Sequence, residues 1–175
     1  MSPPGRPKGE YRSAQREGAP AGVGSAPRSD EATVLAFDFG TRRIGVAVGN
    51  TLLRAAHPLT TIAAEANAAR FATVAALIGE WRPDLLVVGR PVHADGVEHA
   101  LTARAERFAR QLEGRFGLPV VRVDERFTSV GAEDALAAAG VRAGARKAAR
   151  DEVAAQLILQ AWFDQLVAEG SRGPA

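Results

Sequence analysis

Asp38, Glu125 and Asp151 are the residues of this chain best suited to do chemistry, and each also has a plain structural reading. Asp38 sits near the end of the apolar run Thr33-Val34-Leu35-Ala36-Phe37-Asp38-Phe39. An unpaired carboxylate there faces a large desolvation cost, unless it accepts turn N–H bonds from Gly40 or Thr41. In open sheets, function gathers at the carboxyl ends of parallel strands, and Asp38 is expected at such an end. Glu125 directly follows the run 119–123 and emerges at the same edge if the two strands are parallel. Its plain reading is a surface ion pair with Arg126 or a neighbouring arginine, worth little. Asp124 is a further candidate that strand alternation points to the other face. Asp151 is expected to open the last helix, where the positive dipole end favours an acid.

Taken together, three acids from three segments suggest a different chemistry. Clustered carboxylates raise one another's pKa unless a cation neutralises them. An oxygen-only donor set suits Mg²⁺ or Mn²⁺. Two such ions can activate water and stabilise the leaving oxygen of a phosphodiester. The surroundings fit a phosphate substrate. Arg42, Arg43, Arg90 and Arg126 lie at or near expected strand ends, and Arg142, Arg146, Lys147 and Arg150 crowd the segment before Asp151. As a set beside acids they could hold a nucleic-acid backbone, although each alone reads as a solvated charge. Thr128 and Ser129 could help bind phosphate or N-cap the next helix. Phe39 and Phe127 could stack on bases or pack in the core.

Composition excludes most other chemistries. The 175-residue chain has no cysteine, which removes disulfides, thiolate metal sites and a cysteine nucleophile. Its three histidines, His57, His93 and His99, lack metal-ligand spacing. No apolar run approaches a membrane span and no secretory h-region is present, so a soluble cytoplasmic protein is expected. The formal charge of +2 lies wholly within residues 1–30; the other 17 basic and 17 acidic residues balance. Any nucleic-acid footprint is therefore local rather than a global field.

Positioning the acids requires one domain. Residues 1–30, rich in Gly, Pro, Ser and Arg without apolar period, read as a disordered basic leader. The folded domain is expected over 31–168, with a frayed tail over 169–175. Within it the pattern reads as a strand at 33–39, a turn at 40–42, a hairpin strand at 43–49 and a third strand near 57–62. A helix follows over 65–81, with Phe71, Val74, Leu77, Ile78 and Trp81 on its apolar face, ended by Pro83. Next come a doubly covered strand at 84–89, a helix over 97–116 capped by Gly117, and a strand at 119–123. Helices are expected at 129–139 and 151–167, joined by a basic loop at 141–150. The order implies an α/β fold with a mixed sheet and helices on its faces.

The stretch from Leu35 to Gly49, Leu-Ala-Phe-Asp-Phe-Gly-Thr-Arg-Arg-Ile-Gly-Val-Ala-Val-Gly, resembles the opening of the YqgF (RuvX) family of ribonuclease-H-like proteins. Gly89-Arg90-Pro91 with Asp95-Gly96, the run Leu101 to Ala105, Asp124-Glu125-Arg126-Phe127-Thr128-Ser129, and Asp151 with Ala154 to Leu159 match its later motifs in order. The resemblance runs from about Val34 to Gln165. It implies an RNase H-like five-stranded mixed sheet whose second strand is antiparallel to the rest. It also implies that Asp38, Glu125 and Asp151 are metal-binding catalytic acids of a nuclease maturing the 5′ end of 16S rRNA. Family members are also described as Holliday-junction-resolvase-like. Arg90 stands where the family pattern has an apolar residue, and Phe127 where it has Leu; neither removes a carboxylate. Two other readings compete. Asp38-x-Gly40-Thr41 before a hairpin also looks like the first phosphate loop of actin-like ATPases and sugar kinases, which need a second domain that this length does not supply. A non-catalytic RNA-binding assembly factor could keep the same fold.

Overall fold

A computed structural model describes residues 31–92, 99–125 and 146–171. The expected leader at 1–30, the helix at 129–139, and Arg126, Phe127, Thr128, Ser129 and Arg142 lie outside the described residues, as does the side chain of Arg146. Five strands form one sheet: β1 (Thr33–Phe39), β2 (Ile44–Asn50), β3 (Ala55–Ile62), β4 (Leu85–Arg90) and β5 (Val120–Asp124). The helices described are α1 (Asn67–Trp81), α2 (Ala100–Phe116) and α3 (Arg146–Gly170). The sheet order is β3-β2-β1-β4-β5. β2 runs antiparallel to both neighbours, whereas β1, β4 and β5 are parallel. This is the five-stranded mixed sheet with an antiparallel second strand that the resemblance implies. Among the described residues, no helix is long and apolar enough to cross a membrane.

Strand alternation splits the core into two layers. Leu35, Phe37, Ile44, Val46, Leu86 and Val88 face α1 and α2, where they meet Phe71, Val74, Phe108 and Leu112. Val34, Ala36, Ala47, Leu85, Val87 and Val123 face α3, packing on Ala155, Ile158, Leu159, Trp162 and Phe163. The β1 run thus buries both faces, as its continuous apolar pattern requires.

Several boundaries differ from the sequence reading. α1 starts at Asn67 and ends in a left-handed Arg82, whose N–H bonds Ile78 O before Pro83. β4 extends to Arg90 and β5 to Asp124. α2 starts at Ala100 because His99 caps it: His99 Nδ1 accepts from Leu101 N–H at 3.2 Å, while the Thr102 hydroxyl accepts from His99 N–H at 3.1 Å. Gly117 closes α2 with φ +63°, as expected of a glycine C-cap. The largest correction concerns the last helix. It begins at Arg146, so Arg146, Lys147 and Arg150 lie on helix rather than loop. At the other end the helix runs to Gly170, and Ser171 bonds Val167 O through both N–H and Oγ, so the tail is ordered three residues further than expected.

A carboxylate edge under the last helix

Parallel pairing of β1 with β4 and of β4 with β5 brings the carboxyl ends of three strands to one edge. Asp38 reaches that edge on β1, and Glu125 immediately follows β5. Both belong to the α3 face: Asp38 shares parity with Val34 and Ala36, and Glu125 with Val123. Asp124 pairs with Arg90 across β4 and β5 and takes the α2 face, as alternation predicted.

Asp151 arrives by a different route. It lies in the second turn of α3, beyond the first-turn groups that give a helix terminus its partial charge, so the expected dipole role at a helix opening does not hold. Tertiary packing holds it instead. Gly45 pairs with Asp38 in the β1–β2 ladder. A Cβ on Gly45 would lie 1.8 Å from the Asp151 carbonyl oxygen, so only glycine lets α3 lie this close beside Asp38. Thr61 Oγ1 donates to Ala148 O at 2.9 Å, and Gln156 Nε2 donates to Ala56 O at 2.9 Å, which fixes α3 along β3. Gly89 plays a matching part for Glu125: a Cβ there would lie 2.3 Å from Glu125 Oε1 and 2.4 Å from Ile158 Cδ1.

The electrostatics follow from this crowding. Asp38 is raised to about 6, first by burial and then by the charge of Asp151. Glu125 is raised to about 8 by burial, then by Asp38 and by Asp124. Neither Gly40 nor Thr41 donates to Asp38 among the described residues; their carbonyls face Arg70 instead. Asp151 accepts a hydrogen bond from Arg43 Nε at 2.6 Å in a half-buried ion pair. Among the described residues, no three Asp, Glu or His side chains close to metal-ligand spacing. The acids therefore form coupled pairs that share Asp38, with Asp151 turned to a guanidinium. The donor set still suits a hard divalent cation: it is all oxygen, it sits in two glycine-lined recesses, and its mutual repulsion is what a cation would relieve.

The expected cation set divides. Arg43 is engaged by Asp151. Arg42 is exposed and 3.8 Å from Glu65. Lys147 and Arg150 are exposed on α3. Arg90 takes the face opposite the acids, so it is not at the carboxylates. Phe39 packs against Phe108, with ring centroids 5.2 Å apart, in keeping with a core role.

Three residues with a bearing on the site receive no role from the sequence, although Gly45 and Gly89 fall inside the family-like stretches. Gly45 and Gly89 look like ordinary strand glycines. The available signal is a glycine inside an apolar strand, which marks a close approach of another chain segment. Arg70 lies on the apolar stripe of α1 four residues before Val74. Its guanidinium is buried and donates to Ala64 O, Gly40 O and Thr41 O, which pins the β1–β2 turn. A lone arginine in an apolar helical stripe is its signal.

Residues 32–165 match the family model described as RuvX, Holliday junction resolvase. A protein named "Putative pre-16S rRNA nuclease" from Chromobacterium violaceum is 59% identical over 132 residues, which cover 75% of this chain and 96% of that protein. A protein of the same name from Methylobacillus flagellatus is 55% identical over 138 residues, 79% of this chain and 94% of that protein. Among solved structures, RuvC of T. thermophilus in complex with a Holliday junction substrate aligns with a TM-score of 0.48 at 17% identity. That alignment covers 78% of this chain and 96% of that one.

Proposed function

This chain belongs to the RuvX family, and we propose that it is a nuclease whose edge carboxylates serve phosphodiester hydrolysis in 5′-end processing of pre-16S rRNA, in the cytoplasm. The observation that carries the reading is the coupled placement of Asp38 and Glu125 on one face of one edge, with α3 brought beside Asp38 over Gly45. Carboxyls raised to about 6 and about 8 by burial and by neighbouring carboxylates support that reading. They suit a site that awaits positive charge.

Asp38, Glu125 and Asp151 would hold Mg²⁺ or Mn²⁺. Such ions, when bound, supply activation of water and stabilisation of the leaving oxygen. The protein's own part is positional. The parallel strand ends fix Asp38 and Glu125 against a packed layer, and Arg43 orients the Asp151 carboxylate. At neutral pH Glu125 holds its proton in the ion-free protein, so loading of the site is coupled to loss of that proton. Arg42, Lys147 and Arg150, with Arg126, Thr128, Ser129 and Arg146, are the further contacts assigned to the nucleic-acid backbone. The single domain over 31–168 with a basic leader at 1–30 remains part of this reading.

The family model's own description favours a second substrate, branched DNA. One assay separates the two. A 16S rRNA precursor fragment, a four-way DNA junction and a single-stranded RNA are incubated with Mg²⁺ or Mn²⁺, using wild type and Asp38→Asn. Metal-dependent cutting of the precursor, lost in the variant, is the expected result. Preferential junction cutting would move the assignment to a resolvase. Cutting of none would favour an assembly factor.

A further inference from the structure

On the sheet face opposite the carboxylates, α1 and α2 enclose a groove of about 210 Å³ beside the β1–β2 turn. Its floor is Phe39 and Phe108, and its lining includes Arg70, Arg104 and Arg107 but no acid. We propose that this groove is a second phosphodiester-binding track, in which Arg104 and Arg107 hold the backbone of a nucleic-acid strand whose reacting part lies at the carboxylate edge. The inference rests on the nuclease reading and adds to it a surface on the other side of the sheet.

Exposed arginines on a helix are ordinarily solvated, so the case rests on their surroundings. Arg104 and Arg107 are three apart and share a face of α2 with Gln111. Both are exposed, and neither forms an ion pair among the described residues. The acids that might have neutralised them are engaged elsewhere. Glu106 and Glu113 of the same helix are tied to Arg122 of β5, at 2.9 and 2.5 Å. Glu65 lies against Arg42. Arg70 gives Nε and Nη2 to the backbone carbonyls of 40, 41 and 64, so it adds field and is held in place by the turn. The floor is rigid, since Phe108 meets Phe37, Phe39 and Phe71 at 5.2–5.8 Å between ring centroids.

Position supplies the rest. Phe39 follows Asp38 directly, and Thr41 of the turn lines the groove. A strand that leaves the carboxylates over the β1–β2 turn therefore runs onto Arg104 and Arg107. With residues 31–175 electrically balanced, a concave, acid-free patch next to the site is the kind of local footprint that phosphate contacts require.

The shared chemistry is a phosphate oxygen anion, which a nucleic-acid backbone or a free anion could supply, and the test distinguishes these sources. Binding of a fluorescent single-stranded RNA is measured by anisotropy in EDTA, over a series of salt concentrations. Wild type is compared with Arg104→Gln/Arg107→Gln and with Arg54→Gln/Arg82→Gln, an equal charge loss at the far end of the strands. All three proteins are checked for the same thermal unfolding. The groove variant should bind about tenfold more weakly, with a log–log salt slope reduced by about 1.4, the value for two lost phosphate contacts on a single strand. The far-end variant should bind as wild type does. Equal loss in both double variants, no loss in the groove variant, or no RNA binding by wild type would each overturn the track. So would inorganic phosphate or pyrophosphate stabilising wild type but not the groove variant while RNA affinity is equal. Cleavage of the rRNA precursor fragment is read in parallel. Selective loss of binding in the groove variant without cutting by wild type would sink the nuclease reading and leave the track standing. Cutting without that selective loss would do the reverse.

Discussion

The two faces of this sheet are drawn from the same strands and built to opposite plans. Towards α1 and α2, large side chains fill the space: Phe37, Phe71 and Phe108 interlock, and the one buried charge among the described residues, Arg70, donates to three carbonyls. Towards α3, glycine at 45, 49 and 89 and alanine at 36 and 47 thin the sheet, and the helix comes close enough for its backbone to touch β2. Two carboxyls on that face are left electrostatically strained, while Asp151 is held by Arg43. Asp38 and Glu125 are raised while Arg70 on the other face is bonded. The contrast sets a stabilising face against the face that carries the proposed site. One face is closed by packing; the other gives up side-chain volume to hold charges that repel one another.

The strongest way to break the comparison is to remove a charge from the strained face. Asp38→Asn keeps the shape and deletes the charge. Cleavage should fall by at least about a thousandfold, roughly 4 kcal/mol of barrier, while thermal stability holds or rises. Turnover near wild type would end the functional half of the contrast. The same strain sets a pH dependence in the ion-free protein. Both folded pKa values lie above the ordinary carboxyl values, so the stability tied to these groups is full below about pH 4. It is lost as pH rises through about 6 for Asp38 and about 8 for Glu125. Denaturant unfolding in EDTA should therefore show stability falling from pH 6 to 8, and Glu125→Gln should flatten that interval. An unchanged slope in Glu125→Gln would mean that Glu125 is not the group titrating.

Next in size are two substitutions, one on each plan. Gly45→Ala sets a Cβ 1.8 Å from the backbone of Asp151, where no flexible side chain can give way. A loss of about 3 kcal/mol in urea unfolding is expected, with activity reduced beyond what unfolding explains because Asp151 moves with its helix. Arg70→Met removes the donors to Ala64 O, Gly40 O and Thr41 O and should cost about 2 kcal/mol. If Arg70→Met unfolded like wild type, the packed face would not depend on its buried charge.

The packed face was the legible one. The stripe Phe71, Val74, Leu77 announces its helix by period and the runs of β1 and β4 announce doubly covered strands by continuity, and parallel pairing then carries Asp38 and Glu125 to one edge. The strained face was read through motifs rather than through period. Asp151 reads as a candidate site residue at the opening of its helix, because the residues before it, Arg146 to Arg150, look like a basic loop. What holds Asp151 is the docking of α3 on β2 and β3 through Gly45, Thr61 and Gln156, contacts at sequence separations of about a hundred residues that no local pattern displays. Arg90 shows the same gap from another side. Its place at a strand end suggested the acid edge, and only the register against Asp124 gives its face.

The smallest expected effect sharpens the comparison most directly, because it uses the same mutation on the other plan. Gly79 in α1 and Gly114 in α2 have nothing within 4 Å of an added Cβ. They lie within helices, where glycine costs backbone entropy and contributes no burial. Gly79→Ala and Gly114→Ala should each raise stability by about 0.5–1 kcal/mol and leave cleavage unchanged. The expected sign is opposite to that for Gly45→Ala, although the chemical change is identical. If all three substitutions destabilised alike, glycine would be needed throughout this fold for some general reason, and the thinning of the α3 face would carry no special meaning. If they part in sign, the glycines under α3 are there for the close approach that brings Asp151 beside Asp38.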